Sequence, residues 1–189
     1  MFEQQSAFAL QRENCMIFVV DVQGRLVPSM SNGAEIEKNT NVFLEAADAY
    51  GLPVVYSEQY PKGLGATTES VLEKLTNCDA CRIEKTIYSA VTETSVIEQL
   101  ASYGRRQIIL TGLETHVCVY QTVRDLIRHG YSVFIPEDAV GSRTETNRRS
   151  GLSLMKDMGA VISNTESLLF DLIHDARDPH FKRLQALIK

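Results

Sequence analysis

No apolar run in this sequence approaches the roughly 18–20 residues that span a bilayer. The opening stretch, MFEQQSAFALQREN, lacks the basic-then-apolar order of a secretory signal. It carries one Arg and two Glu, a poor composition for a transit peptide. The expectation is a cytoplasmic chain with no membrane partner, an organelle being left open. Positive charge is also short: 19 Lys and Arg stand against 24 Asp and Glu, a net charge of −5. Phosphate backbones are bound by basic faces, so a nucleic-acid partner is not expected. Proline is sparse, and a chain that is 44% apolar and 23% charged has an ordinary globular composition. With 189 residues it can bury a substantial core. No linker or low-complexity stretch interrupts it, so residues 1–189 are expected to form one domain.

Cysteine is limited to Cys15, Cys78, Cys81 and Cys118. That number in an intracellular chain points to free thiols rather than a disulfide framework. Cys78 and Cys81 form a CxxC, CDAC. A thioredoxin-like pair belongs between a strand and a helix near the start of a fold, whereas this one precedes the strand-like CRIEKT. A zinc site needs two further ligands, and there is no second CxxC or nearby His pair. The two thiols read as incidental, a redox pair being the weaker alternative.

What is present is a regular alternation. Apolar runs occur at 15–22 (CMIFVVDV), 53–58 (PVVYSE), 82–86 (RIEKT), 107–112 (QIILTG), 131–137 (YSVFIPE) and 160–164 (AVISN). Short runs rich in Val and Ile suit strands buried on both faces. Between them, AEIEKNTNVFLEAADAYG, TETSVIEQLASYG and CVYQTVRDLIRHG repeat apolar residues at helical spacing and end on Gly. Near the C-terminus Asp178 is placed as an N-cap with Pro179 in the first helical turn. Strand and helix alternating about six times predict an α/β three-layer sandwich. Its central, mostly parallel six-stranded sheet has helices on both faces.

Ligands of open α/β sheets bind beyond the carboxyl ends of the strands. Polar residues ending the apolar runs there are Asp21, Glu58, Lys85 and the loop GLETHVC with Cys118. Each has a plain alternative: Asp21 a turn cap, Lys85 a solvated lysine, Cys118 a packed thiol. Taken together they have a chemical logic. A free thiol ionises near pH 8.5, and a nearby ammonium and a helix N-terminus both favour the thiolate. An aspartate can take the thiol proton and return it to a leaving amine.

The segments VVDVQGRL, IEKTIYSA and LTGLETHVCVYQTV, in that order, resemble the Asp, Lys and Cys motifs of the isochorismatase-like cysteine hydrolases. EQYPKGLG, GSRTETNRRSGLSLMKDMGA and DPHFKRLQALIK extend the likeness towards the eukaryotic isochorismatase domain-containing proteins. The resemblance implies Cys118 as nucleophile, Asp21 as proton shuttle and Lys85 as the cation that depresses the thiol pKa. It also implies a cis peptide between Leu113 and Glu114, and an oxyanion hole from the backbone N–H groups of Glu114 and Cys118. The activity implied is metal-independent C–N hydrolysis of a small amide or ureido substrate by a homo-oligomer, without a cofactor. A catalytically idle scaffold of the same fold is the alternative.

The chain departs from the nicotinamidase pattern, which places an Asp and two His after the second strand to hold a metal. Here residues 57–70 read SEQYPKGLGATTES, without histidine. No metal is expected. Gln23, Arg25, Glu58, Tyr60 and Tyr88 are candidate substrate-binding residues, each with a structural alternative. His116, two residues before Cys118, is not expected to be its base, because residues i and i+2 on a helix point apart. Arg143, Arg148 and Arg149 form the only dense basic cluster, with no aromatic platform adjacent for a nucleic-acid base.

Overall fold

All six apolar runs become strands, displaced by no more than two residues at either end. The structure, a computed structural model, describes residues 8–189. In chain order the strands are β1 (Cys15–Val20), β2 (Val54–Gln59), β3 (Cys81–Lys85), β4 (Gln107–Leu113), β5 (Ser132–Pro136), β6 (Val140–Gly141) and β7 (Val161–Ser163). The helices are α1 (Gly33–Tyr50), α2 (Pro61–Leu64), α3 (Glu69–Asn77), α4 (Thr94–Ser102), α5 (Tyr120–Arg128), α6 (Glu145–Asp157), α7 (Thr165–Ile173) and α8 (Phe181–Gln185).

The sheet runs β3-β2-β1-β4-β5-β7, and every strand pair in it is parallel. β6 is additional to the six strands expected; it pairs with the end of β4 and, at two residues, is too short for an alternation pattern to mark. Parallel strands need crossover connections, and the long helices supply them on both faces. β1 and β4 lie side by side at the centre and are buried along their whole length. Their side chains divide by parity, since successive residues of a strand point to opposite faces. Ile17 and Val19 pack with Val42, Phe43, Leu169 and Leu172 of α1 and α7. Met16, Phe18 and Val20 pack with Leu100, Val123, Leu126 and Met155 of α4, α5 and α6. The result is three layers with two apolar interiors.

Local signals hold for α1, which ends at Gly51 in the left-handed region (φ 62) with its N–H returned to the Ala47 carbonyl. They fail at the C-terminus. The last helix begins at Phe181, not after Asp178. Asp178 is instead a hub: its carboxylate accepts the Arg12 guanidinium, the Tyr50 hydroxyl and the His180 N–H. Those long-range partners hold residues 178–180 as a turn.

Candidate active site

Three strand ends meet at one rim of the sheet, and each turns through a left-handed residue: Asp21 (φ 54) after β1, Tyr60 (φ 37) after β2 and Glu114 (φ 56) after β4. Such backbone is uncommon outside glycine and gathers at functional sites. At Gly112 (φ 141) the chain passes so close to the Val20 carbonyl that a Cβ would collide with it. This contact sets the end of β4 tightly against the end of β1.

Asp21 is fully buried. Its Oδ1 accepts the Ser57 hydroxyl at 2.7 Å and its Oδ2 accepts Lys85 Nζ at 2.7 Å. Lys85, 6% exposed, reaches over from the end of β3. A buried ion pair of this kind holds only where hydrogen bonds satisfy its remaining groups, and here they do. The ammonium also donates to Gln59 Oε1 at 2.7 Å and to the Tyr88 carbonyl at 3.1 Å.

Cys118 lies in a single π-helical turn, Thr115–Val119, which runs directly into α5. π turns recur at functional sites. The turn is clamped from outside, because a Cβ on Gly151 of α6 would meet the Thr115 carbonyl at 2.7 Å. It is tied from within by the Thr122 hydroxyl, which donates to the Cys118 carbonyl and accepts from the Ala90 N–H. The thiol is 6% exposed.

Two expectations are corrected here. Every peptide bond among the described residues is trans, so Leu113 and Glu114 are not joined by a cis bond. Glu114 makes the reversal through its left-handed backbone instead. The thiol is not held as a resting thiolate either. Burial, and next the nearby Asp21 carboxylate, push its pKa up to about 12, and Lys85 only partly opposes them. Burial is the larger cause, and Lys85 offsets little of it because the ammonium is committed to Asp21 at hydrogen-bond distance.

Of the further candidates, Tyr60 and Tyr88 lie half-exposed on the rim. The side chains of Gln23, Arg25 and Glu58 make hydrogen bonds that hold loops at this rim. Gln23 is buried and donates to the carbonyls of Gln59 and Gly65 while accepting the Gln59 N–H. Arg25 donates to the Gly63 carbonyl. Glu58 accepts the N–H and hydroxyl of Thr67 and pairs with Arg82. Burial works to raise the Glu58 pKa, but those hydrogen bonds and Arg82 hold it below the usual carboxylate range. Ser57 is not marked by anything local in the sequence; it and Gln59, which closes β2, reach the site through the strand register Val20–Ser57 and Gln59–Lys85.

His116 faces Ser142 Oγ (3.1 Å) and the Glu114 carboxylate (3.3 Å). In the basic cluster Arg143 pairs with Glu114, and Arg148 and Arg149 with Glu145. Of the CDAC thiols, Cys78 packs against one apolar layer and Cys81, on β3, against the other. All four cysteines are free. Among the described residues no three His, Cys, Asp or Glu side chains cluster as a metal ion would need, and no helix is long and apolar enough to cross a membrane.

Residues 15–167 match the isochorismatase domain. The chain belongs to the isochorismatase family. Among family members it is 33% identical over 180 residues to isochorismatase family protein 1B of Dictyostelium discoideum, covering 94% of this chain and 87% of that one. It is 37% identical over 174 residues to isochorismatase domain-containing protein 1 of Danio rerio, covering 92% of this chain and 60% of the relative. The structure of the MAR1 ribonuclease from Caenorhabditis elegans superposes with a TM-score of 0.89 at 32% identity, covering 95% of this chain and 92% of that one.

Proposed function

We propose that this chain is a metal-independent cysteine hydrolase that cleaves the C–N bond of a small amide or ureido compound. The observation that carries the proposal is the meeting of Asp21, Lys85 and Cys118, from three separate strand ends, in one buried cluster. The raised thiol pKa means that the nucleophile is made during the reaction rather than stored. As Cys118 Sγ bonds to the carbonyl carbon, its proton passes to Asp21, and Lys85 balances the charge that appears on sulfur and oxygen. The tetrahedral oxyanion is held by the backbone N–H groups of Glu114 and Cys118, each such donor lowering the barrier by about 2.7–4 kcal/mol. Collapse breaks the C–N bond while Asp21 gives its proton to the leaving nitrogen. The acyl-thioenzyme is then hydrolysed by a water that Asp21 deprotonates, and the proton returns to the sulfur. Tyr60 and Tyr88, half-exposed, are the proposed substrate contacts. The assembly is proposed to be a homo-oligomer located in the cytoplasm.

The C. elegans relative is named a ribonuclease, and RNA cleavage is the competing activity. In this chain it is disfavoured by the net charge of −5 and by the pairing of Arg143, Arg148 and Arg149 with carboxylates. A panel of primary amides, N-carbamoyl amino acids and a single-stranded RNA, run with wild type and Cys118→Ala, separates the two. Amide or carbamoyl turnover abolished by Cys118→Ala supports the proposal. RNA cleavage that survives Cys118→Ala, with no turnover of the other compounds, overturns it.

A further inference from the structure

We propose that Gln59 is a positioning residue that holds the Lys85 ammonium in the orientation the thiol chemistry needs, an inference that rests on the cysteine-hydrolase proposal above. An ammonium has three N–H donors and no acceptor. In Lys85 all three are taken: Asp21 Oδ2 at 2.7 Å, Gln59 Oε1 at 2.7 Å and the Tyr88 carbonyl at 3.1 Å. None remains for a substrate atom, so Lys85 acts through its charge alone. Where that charge sits then depends on the three acceptors, and Gln59 is the only neutral side chain among them.

The amide of Gln59 can point only one way. Its Nε2 donates to the Thr86 carbonyl at 2.8 Å, which leaves Oε1 facing Nζ. The same side chain therefore fixes the ammonium and the backbone that leads from Lys85 to Tyr88. The main chain of Gln59 is locked separately, by Gln23 Oε1 on its N–H and Gln23 Nε2 on its carbonyl. Because that lock uses backbone atoms only, Gln59 can change its side chain while the loop from residue 59 to 65 stays fastened. The charged groups acting on the Cys118 thiol are Asp21 from β1, Lys85 from β3 and Glu114 from the turn after β4. Only Lys85 is a cation, so releasing it weakens the single favourable charge on a forming thiolate.

The test is iodoacetamide labelling of Cys118, read by peptide mass spectrometry, in wild type, Gln59→Met, Lys85→Met and the double variant. Gln59→Met is expected to slow labelling about tenfold at about pH 8, as the loss of one charge-assisted hydrogen bond implies. The rise of labelling with pH should move upward, in the same direction as in Lys85→Met. In the double variant Gln59→Met should add nothing, because its effect passes through Lys85. If Gln59→Met does not fold, Gln59→Asn, which withdraws the oxygen by one methylene, carries the same expectation. Labelling at the wild-type rate in the Gln59 variant overturns the positioning role, and so does an equal slowing in the Lys85→Met background. Either result leaves the hydrolase proposal standing. If Lys85→Met itself labels like wild type, both fail.

Discussion

Lys85→Met removes the cation from a pair that is almost entirely shielded from water, and its effect on stability follows from that burial. Asp21 is 0% exposed and Lys85 6% exposed, with 2.7 Å between Oδ2 and Nζ. Methionine keeps most of the lysine stem, so the change is chiefly electrostatic. Asp21 would retain one hydrogen bond, from Ser57. Gln59 Oε1 and the Tyr88 carbonyl would each lose a donor. Removing one partner of a buried pair costs about 3–5 kcal/mol, because the remaining charge is left uncompensated. At about 2–4 °C per kcal/mol for a chain of this size, the melting temperature falls by roughly 6–20 °C. The assay is urea unfolding of wild type, Lys85→Met, Asp21→Asn and the double variant. The double variant should be more stable than Lys85→Met, since the stranded charge is gone. If Lys85→Met unfolds within about 0.5 kcal/mol of wild type, an amount typical of an ordinary surface change, the buried pair described above is wrong.

Other outcomes follow from the same geometry. The Cys118 pKa is pushed up to about 12 in the folded chain, against about 8.5 for a free thiol. Stability is therefore intact below about pH 8.5 and falls as pH rises towards about 12, because only the unfolded chain ionises there. The slope is about 1.4 kcal/mol per pH unit for each such thiol. Cys15, also pushed up to about 12 by burial, adds to it, so Cys118→Ser should show a shallower alkaline decline than wild type in urea titrations. Gly112→Ala places a Cβ against the Val20 carbonyl at a backbone φ of 141°; overpacking and backbone strain, about 1–3 kcal/mol each, should together destabilise it or leave no soluble protein. Phe18→Ala, in the fully buried centre of β1, should lose about 3–5 kcal/mol on denaturant unfolding.

The strands were legible because their signal is local. Continuous Val and Ile runs such as MIFVV and QIIL show in their own residues that both faces are buried, and the intervening helical periods require parallel pairing. The order Asp21, Lys85, Cys118 was legible for a related reason: a polar residue closing an apolar run marks a strand end, and strand ends in such folds share a rim. β6 and the start of the last helix were not. Two residues carry no period, and the turn at Asp178 is held by Arg12 and Tyr50 from distant parts of the chain.

The finer composition of the site was settled by tertiary structure. Ser57 and Gln59 are ordinary polar residues until the pairing of β2 with β1 and β3 sets them beside Asp21 and Lys85. Glu58, between them, points the other way by the alternation of a strand and closes a loop through Thr67 and Arg82. The sign of the thiol shift belongs to the same level. Sequence placed a lysine and a helix start near a cysteine, which favours the thiolate. Folding added burial and an aspartate that shares the lysine, and burial acts more strongly on an ionising sulfur than a cation already neutralised by its partner.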